Sequence, residues 1–341
     1  MSKQKLILRQ KPQINISYPS TKRMWLVSGC AFLCILQSAL GDNGKSFIIA
    51  LAAFIAALLT ELLLTWRNSG VSKIKDGSAA ATALILSLLL PNMIHPAYAV
   101  LGTIFAITVV KYSFGGLGSN WLNPALGGWL FIRFSWPSTF TDVLESSFAS
   151  TSEMIVTSNL SALDHSVTEF FNNTVFSIAG VQLPSGYINL LFSSGPGIIT
   201  DNGLFTLLIG TVFITALGIN RGWVPLVFLS VYGFLIRLAG DPSGILWNGD
   251  LLYGLFSGGT IAAAFIIAAE PASGAKLWPG VLLTVVLGAV LSWFFRYRCM
   301  EYLGCFIALG LVNCFTPLIR LLEDKIFFSR NGRSATLENL L

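Results

Sequence analysis

Asp76-Gly-Ser-Ala-Ala-Ala-Thr-Ala-Leu-Ile-Leu-Ser-Leu-Leu-Leu-Pro91 is a short apolar stretch, rich in small residues, that ends at a proline. It is shorter than the roughly 20 apolar residues that a helix needs to cross a bilayer. A related stretch, Gly-Gly-Thr-Ile-Ala-Ala-Ala-Phe-Ile-Ile-Ala-Ala-Glu-Pro, occupies residues 258–271. Each begins with glycine and a hydroxyl residue. Paired short segments of this kind are typical of membrane proteins that build a ligand site where two repeats meet.

The composition is that of a membrane protein. Of 341 residues, 54% are hydrophobic and 11% are charged, and the mean hydropathy is +0.72. These values predict an all-α polytopic chain whose surroundings are the lipid bilayer. The net charge of +5 comes from basic residues between apolar runs, which argues against nucleic-acid binding. The five cysteines lack metal-ligand spacing, so no metal site is expected.

Ten apolar runs predict ten transmembrane helices. They lie at 24–40, 46–66, 78–92, 95–111, 124–137, 203–219, 223–239, 251–269, 277–295 and 301–319. With the basic N-terminus inside, the cytoplasmic segments hold 16 of the 21 Lys and Arg residues, counting Lys111 at the membrane edge. We therefore expect both termini in the cytoplasm and no cleavable signal peptide.

The long connection at 138–202 contains no Lys or Arg and carries six acidic residues, so it is predicted to be exported. Its length makes it a functional candidate. The predicted organisation is a cytoplasmic tail, five spans, this exported loop, five further spans and a second cytoplasmic tail. The corresponding ranges are 1–23, 24–137, 138–202, 203–319 and 320–341.

The two short segments belong to spans three and eight, and they cross in opposite directions in this topology. We infer an inverted five-plus-five repeat with broken helices, whose termini and free backbone groups are available to a ligand. The alternative is that the small residues only allow helices to pack closely.

A second glycine-rich segment, residues 111–128, lies in the predicted cytoplasmic connection after span four. A tight backbone there can present N–H groups to a ring edge or an anion, or it can simply connect two spans. The GK[ST] ending of a phosphate loop is absent. The candidate residues are Gly115, Gly116, Gly118, Asn120, Asn123 and Pro124.

Two acidic residues lie in or beside apolar runs. Glu61 is surrounded by Ala and Leu in span two, where an ionisable group is expensive unless it is paired or hydrated. A functional role is therefore predicted for it; the alternative is that it reaches the cytoplasmic interface. Glu270 immediately precedes Pro271 and either acts at the broken end of span eight or caps a loop.

Together with residues 18–25, Tyr-Pro-Ser-Thr-Lys-Arg-Met-Trp, these segments resemble the NqrB/RnfD family over essentially the whole chain. Its members are membrane subunits of the Na⁺-translocating NADH:quinone oxidoreductase and of the Rnf ferredoxin:NAD⁺ oxidoreductase. The length and short N-terminal tail are closer to RnfD. The resemblance also associates an acidic position like Glu61 with ion uptake, which favours a role in ion coupling for Glu61.

The resemblance implies an FMN joined through its phosphate to a Thr or Ser of the exported loop, in a motif like D-x-x-S-G-A-T, by a flavin transferase. It also implies a noncovalent flavin, such as riboflavin, within the membrane. We expect the glycine-rich segments to supply its contacts. Besides the loop residues named above, these are Asp76, Gly77, Ser78, Gly258 and Gly259.

This sequence departs from the attachment motif, because no S-G-A-T occurs in it. The nearest matches place the acceptor hydroxyl at Ser161 or at Thr168. The alternative is a polar loop without a flavin ester. Because the loop lacks Lys and Arg, a flavin phosphate would need cations from the span ends, which could instead snorkel to lipid headgroups. These are Arg133, Arg237, Arg296 and Arg298.

The predicted function is that of an RnfD-like subunit that carries electrons through flavin and helps couple them to Na⁺ or H⁺ movement. Other membrane and peripheral subunits of an Rnf-type complex would be its partners. The cofactors would perform the redox chemistry, so no catalytic side chain and no independent turnover are expected. The alternatives are a flavin-free transporter or channel-like protein, and a purely structural subunit that keeps only noncovalent flavin.

Overall fold

The computed structural model describes residues 20–66, 74–113, 115–116, 120–141, 166, 169–170, 173–174, 191–192, 197–240, 246–247 and 249–331. Within these ranges the chain is helical and contains no strand; one isolated bridge joins Pro91 and Ile198. The predicted all-α class is confirmed.

The first half contains five helices that coincide with the first five predicted spans. They are α1 (Ser20–Gly41), α2 (Lys45–Thr65), α3 (Ser78–Leu89), α4 (Pro96–Phe105, continued by a π-helical stretch, Ala106–Tyr112) and α5 (Pro124–Ser135). Short 3₁₀ turns precede α3 and follow α5, at Ile74–Asp76 and Pro137–Phe140.

The second half begins with one short helix and continues with elements that coincide with the remaining five predicted spans. They are α6 (Ile199–Asn202), α7 (Leu204–Ala216), α8 (Trp223–Ala239), α9 (Leu251–Phe256), α10 (Thr260–Ala262, continued by a π-helical stretch, Ala263–Ala268), α11 (Trp278–Trp293, continued by a π-helical stretch, Phe294–Arg298) and α12 (Gly304–Asn331).

Four helical stretches are long and apolar enough to cross a membrane: Thr21–Gly41, Lys45–Thr65, Trp278–Arg298 and Gly304–Glu323. Four shorter stretches are also apolar: Ser78–Leu89, Pro96–Tyr112, Leu204–Ala216 and Trp223–Ala239. The chain is therefore a multi-pass membrane protein, as its composition predicts.

Helix α2 has small side chains on its buried face and large apolar side chains on its exposed face. The small residues Ala53 and Ala57 are fully buried, whereas Ile55 and Leu59 are about half exposed. In a bilayer, small residues let neighbouring helices approach, and large apolar residues face lipid at little cost. The outward face of α2 is therefore a lipid or subunit surface, and its inward face packs on α1, α3 and α4.

Helix α3 is short and buried along its whole length. It begins after Gly77, whose left-handed backbone (φ 74°) suits glycine, and it stops where Leu90 turns extended before Pro91. A Cβ at position 77 would lie 2.9 Å from the Nε1 atom of Trp25, so the α1 indole also requires glycine there.

The second short element is interrupted near its start. Helix α9 ends at Phe256, the backbone of Ser257 is extended, and Gly258 and Gly259 are both left-handed (φ 65° and 68°). Helix α10 then begins at Thr260. Both predicted broken segments are thus preceded by a left-handed glycine turn.

Residues 197–202 connect the end of α3 with the start of α10. The Ile199 N–H donates to the Leu90 carbonyl (3.0 Å), and the Asn92 N–H donates to the Gly197 carbonyl (2.9 Å). These bonds satisfy polar groups that the end of α3 leaves open. Two residues after Ile199, Asp201 binds the turn before α10. The C-terminal end of α3 therefore lies beside the N-terminal start of α10, and we refer to these two short helices as the half-helices.

Candidate functional site

A buried ion pair lies at the start of α3. The Lys111 Nζ atom is 2.5 Å from the Glu61 Oε1 atom and 2.6 Å from the Ser78 Oγ atom. Side-chain exposure is 3% for Lys111 and 1% for Glu61, and the Tyr112 hydroxyl donates to the same Oε1 atom (2.9 Å). The second carboxylate oxygen, Oε2, is buried without a hydrogen-bond partner. Glu61 is therefore paired inside the protein and does not reach the interface.

A matching arrangement occurs at the start of α10, in the second half. The guanidinium of Arg296, which is 5% exposed, donates to the Ser257 carbonyl (2.9 Å), the Ser257 hydroxyl (2.6 Å) and the Thr260 hydroxyl (3.3 Å). Its Nη1 atom also reaches the Gly254 carbonyl (3.1 Å). Arg296 thus binds the turn before the half-helix from inside the protein.

Asp201 supplies the negative charge of this second cluster. Its carboxylate accepts hydrogen bonds from the N–H groups of Gly258 (3.0 Å) and Gly259 (2.9 Å) and from the Tyr302 hydroxyl (3.0 Å). The left-handed glycines aim these two N–H groups at one carboxylate. The connection that is predicted to be exported is thereby joined to the start of α10.

The two clusters share one construction. In each, a buried cation on a π-helical stretch, Lys111 or Arg296, contacts the hydroxyl that follows a left-handed glycine, on Ser78 or Thr260. A π-helical turn holds an extra residue and often occurs at functional sites. The sequence does not reveal these stretches, because no local signal marks where the helical hydrogen bonds shift.

A cavity of about 470 Å³ lies between the halves, on the side predicted to face the cytoplasm. Its walls are mainly apolar, and Asn123 and Glu270 meet in them: the Asn123 Nδ2 atom donates to the Glu270 Oε2 atom (2.8 Å). Arg23 also lines the cavity, and its Nε atom is buried without a partner. The residues that line the cavity are Arg23, Met24, Val27, Ile85, Asn123, Ile214, Ile219, Asn220, Ile266, Glu270, Pro271 and Ala272.

Asn123 is well placed to line this cavity. Its Oδ1 atom caps α5 by accepting from the Leu126 N–H (3.1 Å), and Pro124 is the first residue of that helix. The cap orients the Nδ2 atom toward Glu270. Burial raises the pKa of the Glu270 carboxyl, and the hydrogen bonds from Ser273 and Asn123 oppose that shift.

The predicted contact residues do not form one site. Asp76 and Gly77 precede the N-terminal end of α3, whereas Gly258 and Gly259 lie near its C-terminal end, separated by a twelve-residue helix of about 18 Å. The Asp76 carboxylate accepts from the Ser78 N–H (2.8 Å), so both half-helices have an aspartate at their start.

Two glycines of the glycine-rich segment, Gly115 and Gly116, use their N–H groups within the chain. The Gly115 and Gly116 N–H groups donate to the carbonyls of Tyr112 and Lys111, because the left-handed turn closes the π-helical stretch. These two N–H groups therefore end a helix and do not face a ring edge or an anion. Asn120 is buried, and its Oδ1 atom has no hydrogen-bond partner. Gly118, Ser161 and Thr168 lie outside the described residues.

The other predicted phosphate cations have varied surroundings. Arg133 pairs with Glu301 (2.9 Å), and Arg237 donates to the Gly249 carbonyl (3.2 Å). The Arg298 guanidinium lies 5.5 Å from the ring centre of Trp293. Arg296 is buried in the second cluster, so it does not take the alternative role of snorkelling to the headgroups.

Comparison with known proteins identifies the family. A sequence profile described as the NQR2, RnfD, RnfE family matches residues 7–328. The chain is 26% identical to the D subunit of the Na(+)-translocating ferredoxin:NAD(+) oxidoreductase complex of Acetobacterium woodii, over 96% of each chain. It is 24% identical to the D subunit of the proton-translocating ferredoxin:NAD(+) oxidoreductase complex of Clostridium ljungdahlii, over 94% of this chain and 95% of the relative.

A third relative is the D subunit of an ion-translocating oxidoreductase complex of Aeromonas salmonicida, 30% identical over 84% of this chain and 88% of the relative. The profile and these relatives all cover more than four fifths of the chain, and the residues matched by the profile include both half-helices and both buried clusters. The chain therefore belongs to the NQR2, RnfD, RnfE family.

Proposed function

We propose that this chain is the D-type membrane subunit of an ion-translocating ferredoxin:NAD⁺ oxidoreductase-type complex in a bacterial inner membrane. The observation that carries the proposal is the similarity to D subunits along nearly the whole chain. The partners are the other membrane and peripheral subunits of such a complex. The chain carries electrons through flavin and helps couple their flow to Na⁺ or H⁺ movement.

The proposed topology has ten spans in two inverted halves, with both termini in the cytoplasm. The paired clusters support it, because each half has a buried cation on the π-helical stretch of its fourth span and a hydroxyl at the start of its third. In such folds the broken helices meet where the halves pack together, which is where the 470 Å³ cavity lies.

This cavity is the proposed site of the noncovalent flavin. Its volume falls within the roughly 300–1,000 Å³ of small-molecule sites, and its walls are apolar with few polar groups. The orphaned Nε atom of Arg23 and the amides of Asn123 and Asn220 can meet the polar edge of a ring system. When bound, the flavin supplies electron transfer, while these residues hold and orient it and the apolar walls exclude water.

The covalent FMN is proposed at Ser161 or Thr168, with a flavin transferase as partner. The test is ultraviolet fluorescence of the denatured chain after co-expression with that enzyme, beside Ser161→Ala and Thr168→Ala. A fluorescent band lost in one variant identifies the acceptor. No band in the unchanged protein rejects covalent flavin.

The noncovalent flavin is tested on the same preparations by extracting and quantifying released flavin. Asn123→Ala and Arg23→Gln should each weaken binding about tenfold, the effect of one lost polar contact of roughly 1.4 kcal/mol. Ser230→Ala, an exposed hydroxyl bonded within its own helix, is the control. Unchanged flavin affinity in both cavity variants contradicts the assignment.

Glu61 is proposed to take part in ion coupling, and its buried Oε2 atom is the open coordination position. An ion that binds both oxygens must displace the Lys111 ammonium. The absence of S-G-A-T favours one further candidate class, a flavin-free transporter, channel-like protein or structural subunit. A purified chain without covalent or extractable flavin would support that class.

A further inference from the structure

Within the described residues, the carboxylate of Glu270 accepts hydrogen bonds from side chains alone, without a cation or a backbone N–H group. By contrast, Glu61 has a lysine, Asp201 has two backbone N–H groups and a tyrosine, and Asp42 has the N–H group and hydroxyl of Ser46. Glu323 accepts from the N–H groups of two residues just before α11. Glu270 accepts only from the Asn123 amide and the Ser273 hydroxyl (2.8 and 2.9 Å). Neither partner carries a charge that offsets that of the carboxylate.

The carboxyl group of Glu270 also lies between two spaces. One is the 470 Å³ cavity at the interface of the halves, and the other is a small cavity of about 20 Å³ inside the second half. The small cavity has room for one particle the size of a water molecule. Glu270 therefore lines both spaces.

The walls of the small cavity carry several oxygen atoms besides the carboxylate. Thr284 and Thr316 donate their hydroxyl protons to helix carbonyls, at 2.8 and 3.2 Å, so their lone pairs remain available. Ser273 donates to Glu270 in the same way. Among the residues that the structure describes, none that lines this cavity carries a positive charge.

Asn313 supplies an independent indication of a ligand. It lines the small cavity, it is 9% exposed, and its Nδ2 atom is buried without a hydrogen-bond partner. An unpaired buried amide costs about 1–3 kcal/mol, so such a group normally has a partner. Rotation of the carboxamide presents its Oδ1 atom to the cavity instead, which suits a cation.

We propose that the small cavity is a binding site for one dehydrated monovalent cation such as Na⁺, held by Glu270, Ser273, Thr284, Asn313 and Thr316. Hard cations prefer oxygen ligands, and a single carboxylate balances a single positive charge. The site lies just after the C-terminal end of the π-helical stretch that continues α10, where helix carbonyls favour a cation. This inference rests on the proposed ion-translocating function and names its ion site.

The test is binding of radioactive Na⁺ to the purified full chain in lipid nanodiscs, with flavin content measured on the same samples. Glu270→Gln and Asn313→Leu should each weaken Na⁺ binding at least about tenfold, or roughly 1.4 kcal/mol. Ser230→Ala, which removes an exposed hydroxyl bonded within its own helix, should bind Na⁺ within about twofold of the unchanged chain, a difference of less than about 0.5 kcal/mol. Thermal unfolding confirms that each variant is folded.

Three results would overturn the proposal: no Na⁺ binding by the unchanged chain, unaltered binding in both cavity variants, or an equal loss of binding in Ser230→Ala. If Glu270→Gln fails to fold, Asn313→Leu and Thr316→Val decide the matter alone. A variant that loses Na⁺ binding but keeps its normal flavin content would show that only the ion site is affected. Absence of flavin would instead count against the electron-carrying function.

Discussion

Lys111 and Glu61 form a buried ion pair although 50 residues separate them in the chain, with the Lys111 Nζ atom 2.5 Å from the Glu61 Oε1 atom. The same ammonium donates to the Ser78 hydroxyl at the start of α3. One cation therefore joins three spans of the first half, and it occupies the place beside Glu61 that a coupling ion would need.

The ion pair predicts a large effect when only one partner is removed. Lys111→Met leaves the Glu61 carboxylate buried and uncompensated, which should lower stability by about 3–5 kcal/mol. The double variant Lys111→Met/Glu61→Gln should regain much of that loss, because it removes both charges. Thermal unfolding of the detergent-purified chain measures both; additive losses in the double variant would contradict the pairing.

The turn before α3 predicts a specific glycine requirement. Gly77→Ala should destabilise the chain by more than the roughly 1–2 kcal/mol of a left-handed alanine, because its Cβ would also lie 2.9 Å from Trp25. Gly44→Ala is the matched control, since Gly44 has φ 85° and a Cβ added there would have nothing within 4 Å. Equal shifts in unfolding temperature for the two variants would show that the indole contact is unimportant.

The carboxylate of Asp201 is predicted to hold the start of α10. Asp201→Ala removes the acceptor of two N–H groups, at about 1–3 kcal/mol for each donor left unpaired. Hydrogen exchange at Gly258 and Gly259 should accelerate. Asp201→Asn keeps one acceptor oxygen, so its exchange rate should increase less. Slow exchange at Gly258 and Gly259 in the alanine variant would contradict the hydrogen bonds to Asp201.

Glu270 predicts a pH dependence of stability in Na⁺-free buffer. Because burial raises its pKa, the folded state holds the proton more tightly than the unfolded state does. Its contribution is therefore fully present below the usual carboxyl pKa and is lost as the pH rises through the raised value. Glu270→Gln should flatten this part of the curve of unfolding temperature against pH; an unchanged slope would contradict the raised pKa.

Much of the fold follows from the sequence. The apolar runs predict the helices because a membrane chain must satisfy its backbone hydrogen bonds within each span. Residues 76–91 and 258–271 each begin with glycine and a hydroxyl residue and end with proline, and this pattern locates both half-helices. It can be read from the sequence because glycine and proline restrict the backbone locally. The sequence also marks Asn123 as a polar candidate beside Pro124, and the structure adds that its side chain caps α5.

Only the tertiary structure decides which charged groups meet. The sequence marks Glu61 as an ionisable group in an apolar span, but its partner Lys111 stands 50 residues away, on a π-helical stretch without a local signature. The contact of Asp201 with the turn before α10 is equally remote, at 57 residues. Such pairs form because burial in a low-dielectric interior makes an unpaired charge costly, and packing of distant helices determines which partner is within reach.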